Sequence, residues 1–214
     1  VPDMPGPALP AGSPPPRTGR AAVVWALRQP AFWGLMVTFT VSYAVLSGLL
    51  FHLYPMLLEQ GFDTVTTVTA IAVIGPAQVL GRVAIWLFAG RRPIRIIGAV
   101  TIMVFPLALL LLLFAPRGVI TVMGFAVLYG GANGIMTIVR GLAVPEMISR
   151  EAYGAINGTL AIPATIAKAL APLAAALLWA SAGSYDTVLL AALAGSGIAV
   201  SGFWSVSYTH LRAH

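Results

Sequence analysis

The stretch IIGAVTIMVFPLALLLLLFA, residues 96–115, contains no charged side chain. A helix rises about 1.5 Å per residue, so about 20 apolar residues cross the roughly 30 Å hydrocarbon core of a bilayer. Backbone N–H and C=O groups find no water in that layer, and a helix pairs them within one segment. We therefore expect a transmembrane helix here, with the uniform apolarity that is typical of a helix facing lipid.

Five further stretches have the same character and predict six spans in all. Each approaches or exceeds the length that a membrane crossing requires. None shows the alternation of polar and apolar residues that marks a membrane β-barrel strand, so the predicted fold class is an all-α, polytopic membrane protein. The predicted spans are residues 31–57, 64–89, 94–114, 119–139, 153–179 and 187–204.

The composition excludes a soluble domain. Hydrophobic residues make up 59% of the chain and charged residues only 8%, whereas about a quarter of a soluble domain is charged. The net charge of +6 would favour nucleic acid in a soluble protein, but here the arginines lie between apolar spans. We therefore expect a lipid bilayer, and no nucleic acid, as partner. The chain has no cysteine and no phosphate-gripping loop, so we expect neither a metal nor a cofactor.

The distribution of arginine predicts how the spans are oriented. Arginines precede span one and occupy the loops after spans two and four, whereas the opposite loops hold one arginine and three carboxylates. The positive-inside rule places the arginine-rich side in the cytoplasm. With six spans, both termini are then cytoplasmic. The excess of arginine over lysine, with abundant alanine and glycine, suggests a GC-rich bacterium and hence its inner membrane.

The two ends of the chain differ from the spans, which leaves residues 31–204 as the predicted transmembrane half-domain. Residues 1–30 are rich in proline without periodicity, which predicts a disordered cytoplasmic linker. The missing initial methionine suggests that the chain begins within a longer gene. The tail SVSYTHLRAH, residues 205–214, back-translates codon by codon to a transposon-type sequencing adapter. We therefore expect the tail to be non-native and its histidines to bind no metal.

Six spans behind a Pro-rich linker, with four short motifs, resemble the C-terminal half of a major facilitator superfamily transporter. The motifs are ALRQPAFWGLM (26–36), GPAQVLGR (75–82), FAGRRPIR (88–95) and RGLAVPEMISREAYGAING (140–158). The family's acidic loop position is lost here to Ala89 or Gly90, and Pro93 interrupts the basic run. The resemblance covers about Arg20 to Trp204.

That resemblance implies helices seven to twelve of twelve, built as a 3+3 inverted repeat. It also implies alternating access around a small-molecule substrate held between two six-helix halves. The third and sixth helices of each half would pack outside the cavity. The missing N-terminal half of the same chain would be the principal protein partner.

Lys168, the only lysine of the chain, lies in span five. One sector of the helical wheel holds Asn157, Ala161, Thr165, Lys168 and Pro172, a small and polar face like a cavity wall. A charge near mid-membrane is costly and normally faces a partner or water. Lys168 could contact an anionic substrate, pair with a carboxylate of the missing half, or snorkel to the interface. We predict that Asn157, Thr165 and Lys168 bind substrate.

Two further spans carry polar stripes. In span one, Tyr43 and Tyr54 share a face and could line the cavity, although Tyr54 could equally belong to the interfacial aromatic belt. In span two, Gln78 and Arg82 lie one turn apart. Gln78 is the deeper of the two and is predicted to reach the cavity. Arg82 either snorkels or pairs with the gate.

The remaining candidates have two interpretations each. Asn133, in span four, either bonds a neighbouring helix or contacts substrate. His52, beside Pro55, is either structural or a proton site. Small residues four apart predict close helix contacts at Gly130 and Gly134, and at Gly154 and Gly158. The predicted gate and loop residues are Arg82, Arg91, Arg92 and Arg140, the last in a solvated mixed-charge loop.

Three functions are compatible with this pattern. The first is half of a secondary transporter for a small organic anion or metabolite, since the spans hold cations but no Asp or Glu. The second is an intramembrane enzyme of the protease type, for which AGSG at residues 194–197 lacks a histidine partner outside the tail; we expect no enzyme. The third is a six-helix channel or structural protein, which would need a repeated pore-lining feature or a symmetric assembly.

Overall fold

The chain folds into a bundle of long helices. A computed structural model describes residues 19–90, 92–150 and 152–209, with the backbone alone at residues 208 and 209. Within these residues there are seven helices and no strand, and six of the helices are long and apolar enough to cross a membrane. The predicted all-α polytopic fold is confirmed. The helices are α1 (Gly19–Ala26), α2 (Pro30–Glu59), α3 (Thr64–Phe88), α4 (Ile94–Phe114), α5 (Val119–Met147), α6 (Tyr153–Ala182) and α7 (Tyr185–Thr209).

Helices α2–α4 and α5–α7 pack as two equivalent triplets. Helix α2 packs most extensively against α6, and its equivalent α5 packs as extensively against α3. The contact between α2 and α7 likewise has its counterpart in the contact between α5 and α4. The third helices of the two triplets, α4 and α7, pack against each other. A triplet has an odd number of spans, so the second triplet crosses in the opposite direction to the first. This is the predicted 3+3 inverted repeat.

The two ends of the bundle differ in charge. The loops at residues 89–93 and 148–152 lie at one end, which we call the basic end because Arg92, Arg95 and Arg150 lie there. The loops at 60–63, 115–118 and 183–184 lie at the other, which we call the acidic end. It carries Glu59, Asp63 and Asp186.

Glycines set the distance between α3 and α5. A Cβ built at Gly134 would overlap the backbone of Gln78, and one at Gly130 would also collide with α3. The predicted small-residue pair is therefore a close helix contact. The same spacing at Gly154 and Gly158 makes none, because no described atom lies within 4 Å of a Cβ built at either position.

Helix α5 is longer than predicted, and this corrects the placement of Arg140. The predicted span ends at Val139, whereas the helix continues to Met147, so Arg140 lies inside it and not in a solvated loop. Glu146 also lies on the helix and accepts hydrogen bonds from the backbone N–H groups of Ile94 (3.0 Å) and Arg95 (3.4 Å). It thus caps the start of α4, whose first N–H groups have no helical acceptor.

The reason for this difference is the position of Pro145. Gly141 and Pro145 favour a loop in the sequence. Pro145 falls in the last turn of α5, where the missing N–H removes a single helical hydrogen bond. The cap that Glu146 provides holds that end against α4.

The ends of the described chain also differ from the predicted domain boundaries. The predicted linker, residues 1–30, includes helix α1, which packs against α6 and buries Ala22 and Ala26. Helix α7 continues past the predicted boundary at Ser205, and Val206 is buried against Gly34. Residues 1–18, Arg91 and residues 210–214 lie outside the described residues, and the adapter origin of the tail stays a prediction.

Alanine substitutions at two glycines test the contact between α3 and α5. We expect Gly134→Ala to lower the free energy of unfolding by about 1–3 kcal/mol, because the new methyl group must push the two backbones apart. Gly158→Ala is the matched control, since its Cβ meets open space and alanine favours helix over glycine. Thermal unfolding in detergent measures both. Equal melting temperatures for the two variants would show that the α3–α5 contact is loose.

The N-cap of α3 predicts a pH dependence of stability. Asp63 accepts hydrogen bonds from the Thr66 hydroxyl (2.6 Å) and the Thr66 backbone N–H (3.0 Å). The hydroxyl bond first, and the backbone bond second, lower the pKa of this carboxyl below 3.8. Because the folded pKa lies below the unfolded one, the cap stabilises the fold above the unfolded pKa. That stability is lost as the pH falls through the folded pKa.

We therefore expect Asp63→Ala to melt below wild type at neutral pH, and the difference to shrink below about pH 4 and vanish once the pH lies below the folded pKa. The measurement is a series of melting temperatures against pH in detergent. Thr66→Val, which removes the hydroxyl bond alone, should give an intermediate difference. A difference for Asp63→Ala that does not change with pH contradicts the role of the charged cap.

Candidate functional site

A cleft of about 140 Å³ lies between helices α2, α5 and α6. Its polar side chains are Tyr43 from α2, Arg140 from α5 and Asn157 from α6. Small residues, among them Gly141 and Ala161, leave room between the helices. Its lining includes no described residue of α4 or α7, which pack on each other elsewhere in the bundle.

Two cations meet on one aromatic ring at this cleft. The guanidinium carbon of Arg140 lies 3.8 Å from the centroid of the Tyr43 ring, and the ammonium nitrogen of Lys168 lies 5.9 Å from it. Cations within about 6 Å of a ring centroid are attracted by the ring. Tyr43 thereby joins α2 to both α5 and α6. The two charges cannot lie farther apart than about 10 Å, and like charges at that separation repel each other.

No described carboxylate neutralises these charges. Neither Arg140 nor Lys168 forms an ion pair with any residue that the structure describes. The described carboxylates all lie at helix ends or in loops, whereas Lys168 lies halfway along the 30-residue helix α6. An unpaired charge at this depth is costly and is normally compensated by a partner or by water. The cleft and its surroundings therefore carry a positive charge that no described side chain neutralises.

The structure brings some of the predicted binding residues together. Tyr43 and Asn157 line the cleft, and exposed Lys168 lies outside the lining with its ammonium 5.9 Å from the Tyr43 ring centroid. Thr165 is exposed on α6 and does not line the cleft. Tyr54 is 40% exposed and lies three turns along α2 from Tyr43, near the acidic end.

The predicted residues of α3 lie apart from this cleft. Gln78 is half-buried, with its backbone against Gly134 of α5, and Arg82 is exposed. Arg92 is also exposed, in the loop at the basic end. None of these side chains lines the cleft between α2, α5 and α6.

Arg140 is the site residue that sequence reasoning misplaced. A signal for it exists in the spacing of Tyr129, Asn133, Met136 and Arg140, which repeats by four, three and four residues. This spacing keeps one face of a helix and so indicates that the helix continues through Arg140. Tyr129, Asn133 and Met136 are all buried, and Arg140 is half-buried. Asn133 lines a second, internal cavity on α5 that also reaches Arg140.

His52 belongs to a separate network at the acidic end. Its Nε2–H donates to the carbonyl of Pro172 (3.0 Å), since a carbonyl can only accept. Its Nδ1 then accepts from the hydroxyl of Tyr185 (3.0 Å). The neutral ring satisfies both partners and links α2 to α6 and α7. This geometry favours the structural interpretation of His52 over the proton site.

Glu59 strengthens the same junction. Its carboxylate accepts from the indole N–H of Trp179 (2.9 Å) and from the backbone N–H of Tyr185 (2.8 Å). The Trp179 and Tyr185 rings stack with centroids 5.7 Å apart. The ends of α2, α6 and α7 are therefore fastened together at the acidic end.

No protein-family model matches the chain, and no curated protein is significantly similar to it. Within the part of the chain that the structure describes, no group of three His, Cys, Asp or Glu side chains could hold a metal ion.

The acidic-end network predicts a loss of stability on removal of one hydroxyl group. We expect Tyr185→Phe to lower the free energy of unfolding by about 1 kcal/mol, because Nδ1 of His52 loses its donor. Tyr153→Phe is the control, since its hydroxyl makes no hydrogen bond to the described residues. Chemical or thermal unfolding in detergent measures both. If the two variants are equally stable, the bond between His52 and Tyr185 contributes nothing.

Proposed function

We propose that the chain is the C-terminal half of a secondary transporter of the major facilitator type. It moves a small organic anion across a bacterial cytoplasmic membrane by alternating access. The observation that carries the proposal is that two cations, Arg140 and Lys168, approach the Tyr43 ring of the cleft without an ion pair to any described residue.

The architecture supports this proposal. Transporters are commonly built from inverted repeats, with the substrate site near the membrane midplane where the repeats meet. The cleft draws α2 and α6 from different triplets, and α5 from the second. Lys168 lies at half the length of its helix. The arginine-rich loops make the basic end the cytoplasmic one, with both termini on that side.

The chemistry of the side chains suits a carboxylate. The guanidinium of Arg140 offers planar, paired N–H donors that match a carboxylate, whereas Lys168 supplies a compact point charge. Asn157 adds an amide for a second polar group of the substrate. An anion bound between the two cations offsets their mutual repulsion, whereas a cationic solute is repelled by both. The site therefore selects solutes by charge. The missing N-terminal half then closes over the face that carries Thr165 and Gln78, and Arg82, Arg91 and Arg92 act at the cytoplasmic gate.

The contacts of Ser196 favour a transporter over a protease. Its buried hydroxyl donates to the carbonyl of Ala192 (2.8 Å) on the same helix. A nucleophilic serine instead needs a neighbouring base that takes its proton. Among the described residues the only histidine is His52, which is engaged with Pro172 and Tyr185 at the acidic end.

Uptake measurements on the full-length protein test the proposal. Lys168→Gln and Arg140→Gln should each reduce uptake of the transported acid by about 10–100-fold, as expected for loss of a hydrogen bond between charged groups. Arg117→Gln is the matched control, because it removes an exposed cation in a loop at the acidic end that neither lines the cleft nor belongs to the proposed gate. The assay uses proteoliposomes and a panel of organic acids, with neutral and cationic solutes for comparison.

Two outcomes would refute the proposal. One is uptake that neither cleft variant changes, which would move the substrate away from Tyr43. The other is a gene in which no further membrane spans precede Val1. In that case a six-helix channel or structural protein becomes the better interpretation.

A further inference from the structure

A second cavity lies inside the bundle, between α2, α4, α5 and α7. Its polar lining consists of Ser42, Tyr129, Asn133, Arg140 and Ser196, with Phe105 among its apolar residues. It is distinct from the cleft, although Arg140 lines both. The space is small, with room for about one water molecule.

Three buried polar atoms of this lining have no hydrogen-bond partner among the described residues. They are the hydroxyl oxygen of Tyr129, the amide oxygen Oδ1 of Asn133 and the Nε of Arg140. The Tyr129 side chain is fully buried, and Asn133 is 7% exposed. Buried polar groups in native proteins are nearly always paired, with protein or with ordered water. Three such atoms around one cavity therefore indicate a ligand.

The Tyr129 ring is fixed in place by its neighbours. Phe105 packs edge-on at 5.3 Å between ring centroids, and Phe125 stacks at 5.2 Å. These rings offer no strong hydrogen-bond acceptor. The hydroxyl of Tyr129 must therefore find its partner in the cavity that it lines.

We propose that this cavity holds one ordered water molecule. The lining supplies a donor at Arg140 Nε, an acceptor at Asn133 Oδ1, and a hydroxyl at Tyr129 that can do either. A water molecule accepts two hydrogen bonds and donates two, so it matches this mixed set. An anion would face the amide oxygen of Asn133, and a cation would face the guanidinium of Arg140. Ser196, whose own proton goes to Ala192, is left with lone pairs for the second water proton.

The water has a consequence for the cleft, and this consequence rests on the proposed function. It solvates the inner edge of the Arg140 guanidinium without neutralising it. The charge therefore stays available on the side that faces Tyr43. Tyr129 and Asn133 are then positioning residues that act on a bound anion through Arg140.

The sign of a stability change tests the water without any substrate. We expect Tyr129→Phe to lower the melting temperature of the full chain by about 2–4 °C, because the water loses a partner. In a dry cavity the same change would remove a buried hydroxyl that has no partner and would leave stability unchanged or raise it. Thr67→Val is the matched control. The Thr67 hydroxyl is buried and unpaired among the described residues, and it lines neither the cleft nor this cavity. We expect Thr67→Val to leave the melting temperature unchanged or to raise it.

Radiolytic hydroxyl labelling gives an independent readout. Radicals formed from bound water oxidise the side chains next to it, so Tyr129 should be labelled several-fold faster than Phe125, a buried ring that does not line the cavity. Labelling of Tyr129 no faster than Phe125 overturns the proposal. So does a Tyr129→Phe variant as stable as wild type. Neither result depends on whether the protein transports anions.

Discussion

The absence of water for the backbone is the constraint on which the whole structure depends. Each span must pair its own N–H and C=O groups, so the chain consists of long helices. Polar interactions between the helices are then made by a few side chains. Those side chains are placed unevenly. The described carboxylates stay at the helix ends or in loops, while half-buried Arg140 and exposed Lys168 lie along α5 and α6 without one. The ring of Tyr43 approaches both cations, and Arg140 lines both the cleft and the inner cavity.

Much of the fold follows from hydropathy. The span at 94–114 has the bounds of α4, and every predicted span matches one helix. Prediction fails at the ends, where hydropathy has little signal. Helix α5 passes through Gly141 and Pro145 because Glu146 reaches across to cap α4, a contact between residues about fifty apart in the chain. The N-terminal helix α1 packs against α6, and local sequence patterns do not predict that tertiary contact.

The candidate site was only partly predictable for a related reason. Helical periodicity brings Asn157 and Lys168 to one face of α6, and that interpretation agrees with the structure. Periodicity says nothing about which neighbour that face meets. Gln78 has the same polar character, yet α3 is turned onto α5 by Gly134, so Gln78 lies apart from the cleft. Arg140 enters the site through the ring of Tyr43, a partner on another helix.

The crowding of two cations on one ring also has a mechanical meaning. Arg140 and Lys168 repel each other while the Tyr43 ring attracts both, so one ring on α2 is attracted to like charges on both α5 and α6. A cation–π contact contributes only about 0.5–2 kcal/mol, so a modest force can break it. If the proposed anion binds between the two charges, it replaces their repulsion with attraction. Part of the binding energy then draws α6 toward α5, so the same contact couples substrate charge to the packing of the two helices.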